Sequence, residues 1–406
     1  MSSFDTFNLR ASSKQALAKM DIVTPTTVQE HALPLMLAGR DLIAQAQTGS
    51  GKTLAFGLPL MERCEPRERQ VQALVLTPTR ELARQVGDVL KQLSQGSGLR
   101  VSLLYGGVSY GPQEKELAAV PHIVVGTPGR VLDHLKRRTL RLDSVRMMIL
   151  DEADEMLDRG FAPDVERILA MTPRSRQTAL FSATTPPWVQ NIAGKHLTEP
   201  EIIHSDDGDE YEPDIDHVVM EVYREDKFQV LVRLLREQTE GTTLVFGRTK
   251  HGVRNLGHRL EAMGFRVAVL QGNLGQQQRD RALDSFRSGR AQVLVATNVA
   301  ARGLDILHIA RVINFEIPDT HELFTHRVGR TGRMGRSGQA ITLVSAVDLA
   351  KWQAIERGLG VRLPRMSADG QAITPQAVAR PQAMAAKPKA ARNWGRRRFS
   401  RRRAPA

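Results

Sequence analysis

The chain has 406 residues, of which 41% are hydrophobic and 25% charged, and its formal net charge is +13. This length suggests two or three domains, and no apolar run approaches the ~20 residues that a membrane-spanning helix needs. A single cysteine, Cys64, excludes an intramolecular disulfide framework and a zinc site built on several thiolates. Because the first residues also lack the basic and then apolar layout of a signal peptide, we expect a cytoplasmic protein.

The charge is distributed unevenly along the chain. Residues 380–406 contain ten Lys and Arg and no acidic residue, which leaves only +3 for residues 1–379. Residues 205–216 (SDDGDEYEPDID) contain seven acidic residues and no Lys or Arg. Such compositions oppose burial, so we expect an acidic linker at residues 205–216 and a disordered basic tail at residues 359–406.

Short apolar runs alternate with helical patterns on both sides of this linker. Strands are predicted at residues 41–46, 73–77, 101–105, 122–126, 147–150, 178–182, 243–246, 267–270, 292–296, 312–315 and 340–344. Continuous apolar strands that alternate with helices are typical of parallel sheets covered by helices on both faces. The predicted fold class is α/β, with one domain at residues 1–204 and a second at residues 217–358.

A glycine-rich segment follows the first predicted strand. Residues 46–53 read AQTGSGKT and precede a helical pattern, which is the context of a phosphate-binding loop. Gly49 and Gly51 let backbone N–H groups approach phosphate oxygens, and the helix N-terminus adds its positive dipole end. Lys52 would contact the β- and γ-phosphates, and Thr53 would bind Mg²⁺. The predicted nucleotide contacts are Ala46, Gln47, Thr48, Gly49, Ser50, Gly51, Lys52 and Thr53.

An acidic cluster, residues 151–154 (DEAD), follows the predicted strand at residues 147–150. A carboxylate at the carboxyl end of a parallel strand lies where α/β sheets bind ligands. Asp151 is placed to hold Mg²⁺, and Glu152 is placed to orient and polarise an attacking water. Together with the phosphate loop, this cluster predicts a nucleoside triphosphatase.

These motifs, in this order, resemble those of the DEAD-box ATP-dependent RNA helicases, and the resemblance covers residues 4–358. It implies two tandem RecA-like domains and RNA-stimulated ATP hydrolysis coupled to domain closure. It also implies local strand separation of short RNA duplexes and remodelling of RNA–protein complexes. The implied partner is structured RNA of low sequence specificity, with ribosomal RNA and mRNA as candidate classes.

The resemblance assigns residues around the adenine base. Gln29, in the sequence PTTVQ, would pair with N6 and N7 of adenine, because an amide offers both a donor and an acceptor. Ile22 stands where the family usually has an aromatic ring that stacks on the base. Phe4 or Phe7 could supply that ring instead.

The second domain would complete the ATP site. In residues 326–333 (HRVGRTGR), the resemblance implies that Arg330 and Arg333 reach the γ-phosphate, where planar guanidinium groups stabilise charge on its oxygens. Gly303 and Asp305 would contact the nucleotide, and Asp305 would bind its ribose.

A further set of residues would couple hydrolysis to domain movement. Ser182 and Thr184 flank an alanine at the end of a predicted strand and would hydrogen-bond to the DEAD segment. The coupling residues implied by the resemblance are Ser182, Thr184, Asp154 and His326. Asn298 replaces an aspartate that is frequent in the family but keeps a hydrogen-bond acceptor, so we expect activity to be retained.

RNA contacts are implied in both domains. Glycines permit close approach, while Thr, Arg and helix N-termini bind phosphate and sugar, so sequence preference should be weak. The resemblance itself, together with 2′-hydroxyl contacts, would favour RNA. The implied contacts are Pro78, Thr79, Arg80, Gly106, Gly107, Thr127, Pro128, Gly129 and Arg130 in the first domain, and Arg248, Gln276, Arg279 and Thr297 in the second.

The tail offers a further RNA contact. Arg396, Arg397 and Arg398 lie beside Trp394 and Phe399, and such clusters combine phosphate attraction with base stacking. The alternative is a solubilising terminus without a partner.

Two other functions remain compatible with this core. One is a DNA helicase or translocase. The other is an RNA clamp that binds ATP without useful turnover, against which the intact Lys52, Glu152, Arg330 and Arg333 argue.

Overall fold

A computed structural model of the chain describes residues 3–46, 49–204, 214–238, 240–301, 309–332, 337–369 and 371–372. Its strands form two seven-stranded sheets, one on each side of the acidic segment. Within each sheet, all neighbouring strands pair in parallel. The predicted α/β fold class is therefore confirmed. In the described part of the chain, no helix is long and apolar enough to cross a membrane.

The first sheet has the strand order β3-β4-β2-β5-β6-β1-β7. Its strands are β1 Leu42–Gln45, β2 Ala73–Leu76, β3 Val101–Leu104, β4 Ile123–Gly126, β5 Met147–Asp151, β6 Gln177–Ser182 and β7 Glu201–His204. The helices of this domain are α1 Ala11–Lys19, α2 Thr27–Leu37, α3 Lys52–Arg63, α4 Arg80–Leu93, α5 Tyr110–Ala118, α6 Pro128–Lys136, α7 Ala153–Asp158, α8 Ala162–Ala170 and α9 Pro187–His196.

The second sheet has the strand order β10-β11-β9-β12-β13-β8-β14. Its strands are β8 Ile215–Glu221, β9 Thr242–Gly247, β10 Val267–Leu270, β11 Val293–Thr297, β12 Ile309–Asn314, β13 Gly338–Val344 and β14 Arg365–Ser367. The helices of this domain are α10 Lys227–Glu237, α11 Lys250–Ala262, α12 Gln276–Arg287, α13 Asn298–Ala301, α14 His321–Val328 and α15 Leu349–Leu359.

Each sheet separates hydrophobic clusters, because successive side chains of a strand point to opposite faces. In β2, Ala73 and Val75 join one cluster while Leu74 and Leu76 join the other. All four side chains are fully buried, since helices cover both faces of the sheet. The central strands are therefore rigid supports for whatever follows their ends.

The boundaries of the second domain differ from the prediction. Strand β8 begins at Ile215, inside the expected linker, and β14 lies beyond residue 359, where the tail was expected to begin. The guanidinium of Arg365 holds β14 in place by bonds to Glu221 at 2.5 Å and Glu356 at 3.0 Å. The expected tail boundary is thus too early, because β14 is short and only half-buried and lacks an apolar run. Residues 373–406 lie outside the described part of the chain.

Candidate nucleotide and nucleic-acid site

The strand order sorts the sequence motifs of the first domain into two groups. In a parallel sheet all carboxyl ends meet at one edge, and each motif directly follows such an end. The motifs after β3, β4 and β2 are those assigned to RNA, and these strands are neighbours. The motifs after β5, β6 and β1 are those assigned to ATP and to coupling, and these strands are also neighbours. One edge therefore carries the motifs assigned to RNA beside those assigned to ATP and coupling, and we call these two groups its RNA half and its nucleotide half.

The phosphate loop leads into α3, which begins at Lys52. Gly49 and Gly51 both have φ of 92°, a conformation that favours glycine, and Gly51 caps α3. Lys52 is buried, and its Nζ donates to the carbonyl oxygen of Ala46 at 2.9 Å. The lysine is thus held at the mouth of the loop by a neutral carbonyl oxygen, which a phosphate could replace. Gln47 and Thr48 lie outside the described residues.

Gln29 docks directly on this loop. Its Nε2 donates to the carbonyl oxygen of Gly51 at 3.0 Å, and its Oε1 accepts from the backbone N–H of Thr26 at 3.0 Å. The hydroxyl of Thr26 donates to the Ser50 carbonyl at 2.8 Å. A Cβ at Gly51 would collide with the Gln29 amide, so glycine is required for this docking. Among the described residues, these bonds use one of the two amide N–H groups and one of the two oxygen lone pairs of Gln29.

The candidates for the ring beside adenine lie close to the core of the first domain. Phe4 is buried in a hydrophobic cluster, and Phe7 and Ile22 pack against the same cluster. The rings of Phe4 and Phe7 contact each other, with centroids 6.3 Å apart. Both aromatic side chains thus take part in packing.

The first acid of the DEAD segment is a buried carboxylate. Asp151 is 3% exposed, and its Oδ1 has no hydrogen-bond partner among the described residues. Burial raises the pKa of Asp151 to about 7, and the nearby charge of Lys52 opposes that rise. An orphaned carboxylate oxygen beside a phosphate loop fits a hard divalent cation such as Mg²⁺, and the hydroxyl of Thr53 in the first turn of α3 is a second suitable ligand.

Glu152 has a strained backbone. Its φ of 52° and ψ of 56° are left-handed, which costs a non-glycine residue about 1–3 kcal/mol and is typical of functional sites. Glu155 lies one helical turn away and hydrogen-bonds to Glu152, and burial raises the pKa of Glu155 to about 8. Arg159 donates to Glu155 from Nε at 2.9 Å and from Nη2 at 2.7 Å. Sequence reasoning missed Glu155 and Arg159, although a further acid directly after DEAD was a visible signal.

The hydrogen bonds expected between residues 182–184 and the DEAD segment are present. The Ser182 hydroxyl accepts from the backbone N–H of Asp154 at 3.2 Å. Asp154 Oδ2 accepts from both the N–H and the hydroxyl of Thr184, each at 2.9 Å. The ends of β6 and β5 are therefore tied together, so that a shift of one moves the other.

In the second domain, the buried Arg327 joins several segments by hydrogen bonds. It is 2% exposed and donates to Asn298 at 2.6 Å, to Asn314 at 2.8 Å and to the Glu316 carbonyl at 2.7 Å. The acceptor that Asn298 was expected to keep is therefore in use.

Arg330 is also buried and donates from Nε to the His326 carbonyl at 3.3 Å. Gly303, Asp305 and Arg333 lie outside the described residues.

Most residues assigned to RNA in the first domain line one groove that the second domain helps to close. The groove has a volume of about 390 Å³. It is lined by Pro78, Thr79, Arg80, Glu81, Gly106, Thr127, Gly129, Arg130, Asp133, Arg159, Phe161, Gly272, Leu274 and Arg279. Asp133, Phe161 and Leu274 were not predicted, because only the folded arrangement brings them to this groove.

Two of the three first-domain arginines that line this groove, Arg80 and Arg130, are held by contacts within their own domain. Arg80 lies on Gly107, where a Cβ would collide with the guanidinium. Arg130 donates to Gln113 at 3.0 Å and to the Val108 carbonyl at 2.9 Å. Fixed guanidinium groups along a groove suit the recognition of a phosphate backbone.

The remaining assigned residues also lie at strand or helix ends. Pro128 is the first residue of α6, Thr297 is the buried last residue of β11, and Arg248 is an exposed residue directly after β9. Gln276 begins α12 and reaches Arg80 across the cleft. The tail residues Arg396, Arg397 and Arg398 lie outside the described part of the chain.

Comparisons with known proteins agree with this arrangement. Residues 26–192 match the family described as DEAD/DEAH box helicase, and residues 226–335 match the helicase conserved C-terminal domain. The DEAD-box ATP-dependent RNA helicase CshA of Bacillus subtilis is 43% identical over 363 residues, covering 89% of this chain and 74% of the relative.

Solved structures of S. cerevisiae Dbp5 are also similar. Dbp5 bound to RNA and ADP BeF3 is 34% identical, with a TM-score of 0.81 over 91% of this chain and 96% of the other. A Dbp5 variant bound to Nup159, Gle1, IP6 and ADP is 33% identical, with a TM-score of 0.63 over 89% and 96%. The TM-score is thus higher against the Dbp5 structure that contains RNA and ADP BeF3.

Replacing Asp151 by Asn should stabilise the nucleotide-free protein at neutral pH. The folded carboxyl, with a pKa of about 7, binds its proton more tightly than the unfolded one at 3.8, so stability is lost as the pH rises between these values. We expect the stability gap between Asp151→Asn and wild type to widen by roughly 2 kcal/mol from pH 5 to pH 7 and to level above about pH 8, once the folded carboxyl is fully ionised.

Thermal denaturation in EDTA over this pH range measures the gap. The exposed Asp143, changed to Asn, is the matched control and should show no such widening. A gap for Asp151→Asn that does not depend on pH would contradict the buried, cation-accepting carboxylate.

Proposed function

Because the chain belongs to the DEAD-box family of ATP-dependent RNA helicases, we propose that it hydrolyses ATP at a site divided between its two RecA-like domains and thereby grips and releases RNA. The observation that carries this proposal is the pair of motif groups at one edge of the first sheet, with the second domain closing the RNA groove. Family membership favours this function over a DNA translocase. The intact Lys52 and Glu152 favour it over an RNA clamp without turnover.

ATP would bind first to the first domain. Gly49, Gly51 and the N-terminus of α3 would surround the phosphates, and Lys52 would exchange the Ala46 carbonyl for a phosphate oxygen. The remaining donor and acceptor of Gln29 would select adenine over guanine, supported by its docking on Gly51. A bound Mg²⁺, held by Thr53 and Asp151, would neutralise charge on the phosphates.

Hydrolysis would then depend on Glu152 and the arginines of the second domain. Glu152 would orient the attacking water, since its strained backbone fixes the carboxylate above the end of β5. Its hydrogen bond with Glu155, which Arg159 anchors, would keep it in that position. Arg330 and Arg333 would stabilise the charge that develops on the γ-phosphoryl oxygens.

RNA would bind in the groove through its backbone. Arg80, Arg130 and Arg279 supply positive charge, while Gly106 and Gly129 leave room for sugar and phosphate. Because part of the lining belongs to the second domain, the groove is complete only when the domains are closed. ATP and RNA should therefore favour closure reciprocally, and closure would bend one strand and open a short duplex locally.

The bonds between Asp154, Ser182 and Thr184 would carry the signal between the two halves. They tie the ends of β5 and β6, so a change at the γ-phosphate would shift the segment that follows β6. Hydrolysis would then weaken closure and allow RNA release. Cellular ribosomal RNA or mRNA, bound without strong sequence preference, would be the substrate, and a cytoplasmic location fits such a partner.

Replacing Arg330 by Ala should abolish RNA-stimulated turnover. An arginine that stabilises a phosphoryl-transfer transition state accounts for about 10³–10⁵ in rate. We expect the loss in kcat at saturating RNA and ATP, measured by phosphate release. The exposed Arg290, changed to Ala, is the matched control in the same domain. Full RNA-stimulated turnover in Arg330→Ala would contradict the shared site.

The basic tail should strengthen RNA binding without specificity. Truncation after Ala372 leaves β14 intact and removes the ten basic residues of the tail. Because each cation releases counterions from RNA, the truncated protein should bind RNA more weakly at low salt and with a flatter salt dependence. Fluorescence anisotropy over a salt series measures both, and unchanged affinity at low salt would support a tail without an RNA partner.

A further inference from the structure

Helices α4 and α12 face each other across the cleft between the domains. Arg80 Nη1 donates to Gln276 Oε1 at 3.2 Å, and Arg279 donates to Glu81 at 2.7 Å. A third pair, Arg84 and Asp280, joins Nη1 to Oδ1 at 2.6 Å. Residues three or four apart share one face of a helix, so these contacts form a single cross-domain row. Neither Arg84 nor Asp280 belongs to the residues assigned to RNA or ATP above.

Asp280 makes a second bond within this row. Its Oδ1 also accepts from Gln276 Nε2 at 3.0 Å. Gln276 therefore lies between a carboxylate, which can only accept, and the Arg80 guanidinium, which can only donate. One amide orientation satisfies both neighbours, with Nε2 towards Asp280 and Oε1 towards Arg80. The reverse orientation would place oxygen against oxygen and N–H against N–H.

This orientation matters because Arg80 lies in the RNA groove. The Arg80 guanidinium packs on Gly107, and one of its N–H groups donates a hydrogen bond to the Gln276 oxygen. Gln276 is 9% exposed, so water competes little for that bond. This bond from the second domain thereby fixes the direction in which the remaining N–H groups of Arg80 point.

The charge of Asp280 also needs a partner. A bare carboxylate beside a phosphate track would repel RNA, and Arg84 neutralises it. The side chains of Arg84 and Asp280 are 43% and 32% exposed, so as an ion pair alone they stabilise closure only weakly. The effect of Asp280 should therefore arise mainly from the orientation of Gln276.

We propose that Asp280 is a positioning residue that sets the amide of Gln276, and through it the Arg80 guanidinium, for RNA binding when the domains close. Arg84 is its charge partner across the cleft. The proposal rests on the function proposed above and deepens it, because it makes RNA affinity depend on domain closure through one defined hydrogen-bond chain.

The test compares substitutions in RNA-stimulated ATPase assays that separate the half-saturating RNA concentration from kcat. Asp280→Ala should raise the half-saturating RNA concentration about tenfold, the loss expected for one hydrogen bond to a charged group, while kcat at saturating RNA changes little. Asp280→Asn keeps an acceptor oxygen and should restore most of the affinity. Asp143→Ala, at an exposed ion pair of the first domain, is the control.

A charge swap separates orientation from simple attraction. Arg84→Glu combined with Asp280→Arg restores an ion pair between the domains but places a guanidinium beside Gln276. The swap should keep the weak RNA binding of Asp280→Ala. Wild-type affinity in the swap, or in Asp280→Ala, would overturn the proposal. If wild type itself showed no RNA-stimulated turnover, the proposed function would fail instead.

Discussion

The parallel pairing of every described strand is the constraint on which the rest of this molecule depends. It forces the carboxyl ends of the strands to one edge of each sheet and requires helices on both faces. The cores on either side of the sheets then hold those ends rigid. In the first domain, the strand order further groups the motifs by assignment. Those assigned to RNA follow three neighbouring strands, and those assigned to ATP and coupling follow the next three. Motifs far apart in sequence thus become adjacent through topology alone.

The nucleotide half of this edge contains acids that are buried before any ligand binds. The Asp151 and Glu155 carboxyls are both buried, and burial raises both pKa values. Lys52 meanwhile donates to a neutral carbonyl. A cation bound with a nucleotide would stabilise these acids in their ionised form, whereas the RNA half already has its guanidinium groups fixed by Gln113, Gln276 and Glu81. The two halves therefore differ in how completely they are formed before ligands bind.

Much of the fold and the site could be predicted from sequence, because buried parallel strands are apolar runs and phosphate loops have a strict pattern. The predicted strands mostly lie within one or two residues of the observed ones. Three strands were missed: β7 is an edge strand with alternating exposure, β8 begins within the acidic segment, and β14 is short and half-buried. Two features could be identified only in the folded structure. They are the hydrogen bond between Gln29 and Gly51 and the cross-domain row that contains Asp280. Neither follows from spacing, since each joins segments whose distance depends on folding or on domain placement.

The positive charge of the chain is also unevenly placed. The net charge of +13 is concentrated in residues 380–406, whereas the two-domain core is nearly balanced. Within that core a few guanidinium groups are positioned by named acceptors rather than by an overall basic surface. In the proposed function, the tail would supply general electrostatic attraction for RNA and the groove would supply positioned contacts to its backbone.

Domain closure is the central claim, and intramolecular fluorescence energy transfer tests it most directly. Cys64 is buried, and burial raises its pKa to about 12, so labels can be directed to cysteines introduced at the exposed Met171 and Met263, one in each domain. The account predicts a single high-transfer population with RNA and a non-hydrolysable ATP analogue together, and mainly low transfer with either alone. Identical transfer in all conditions would contradict it.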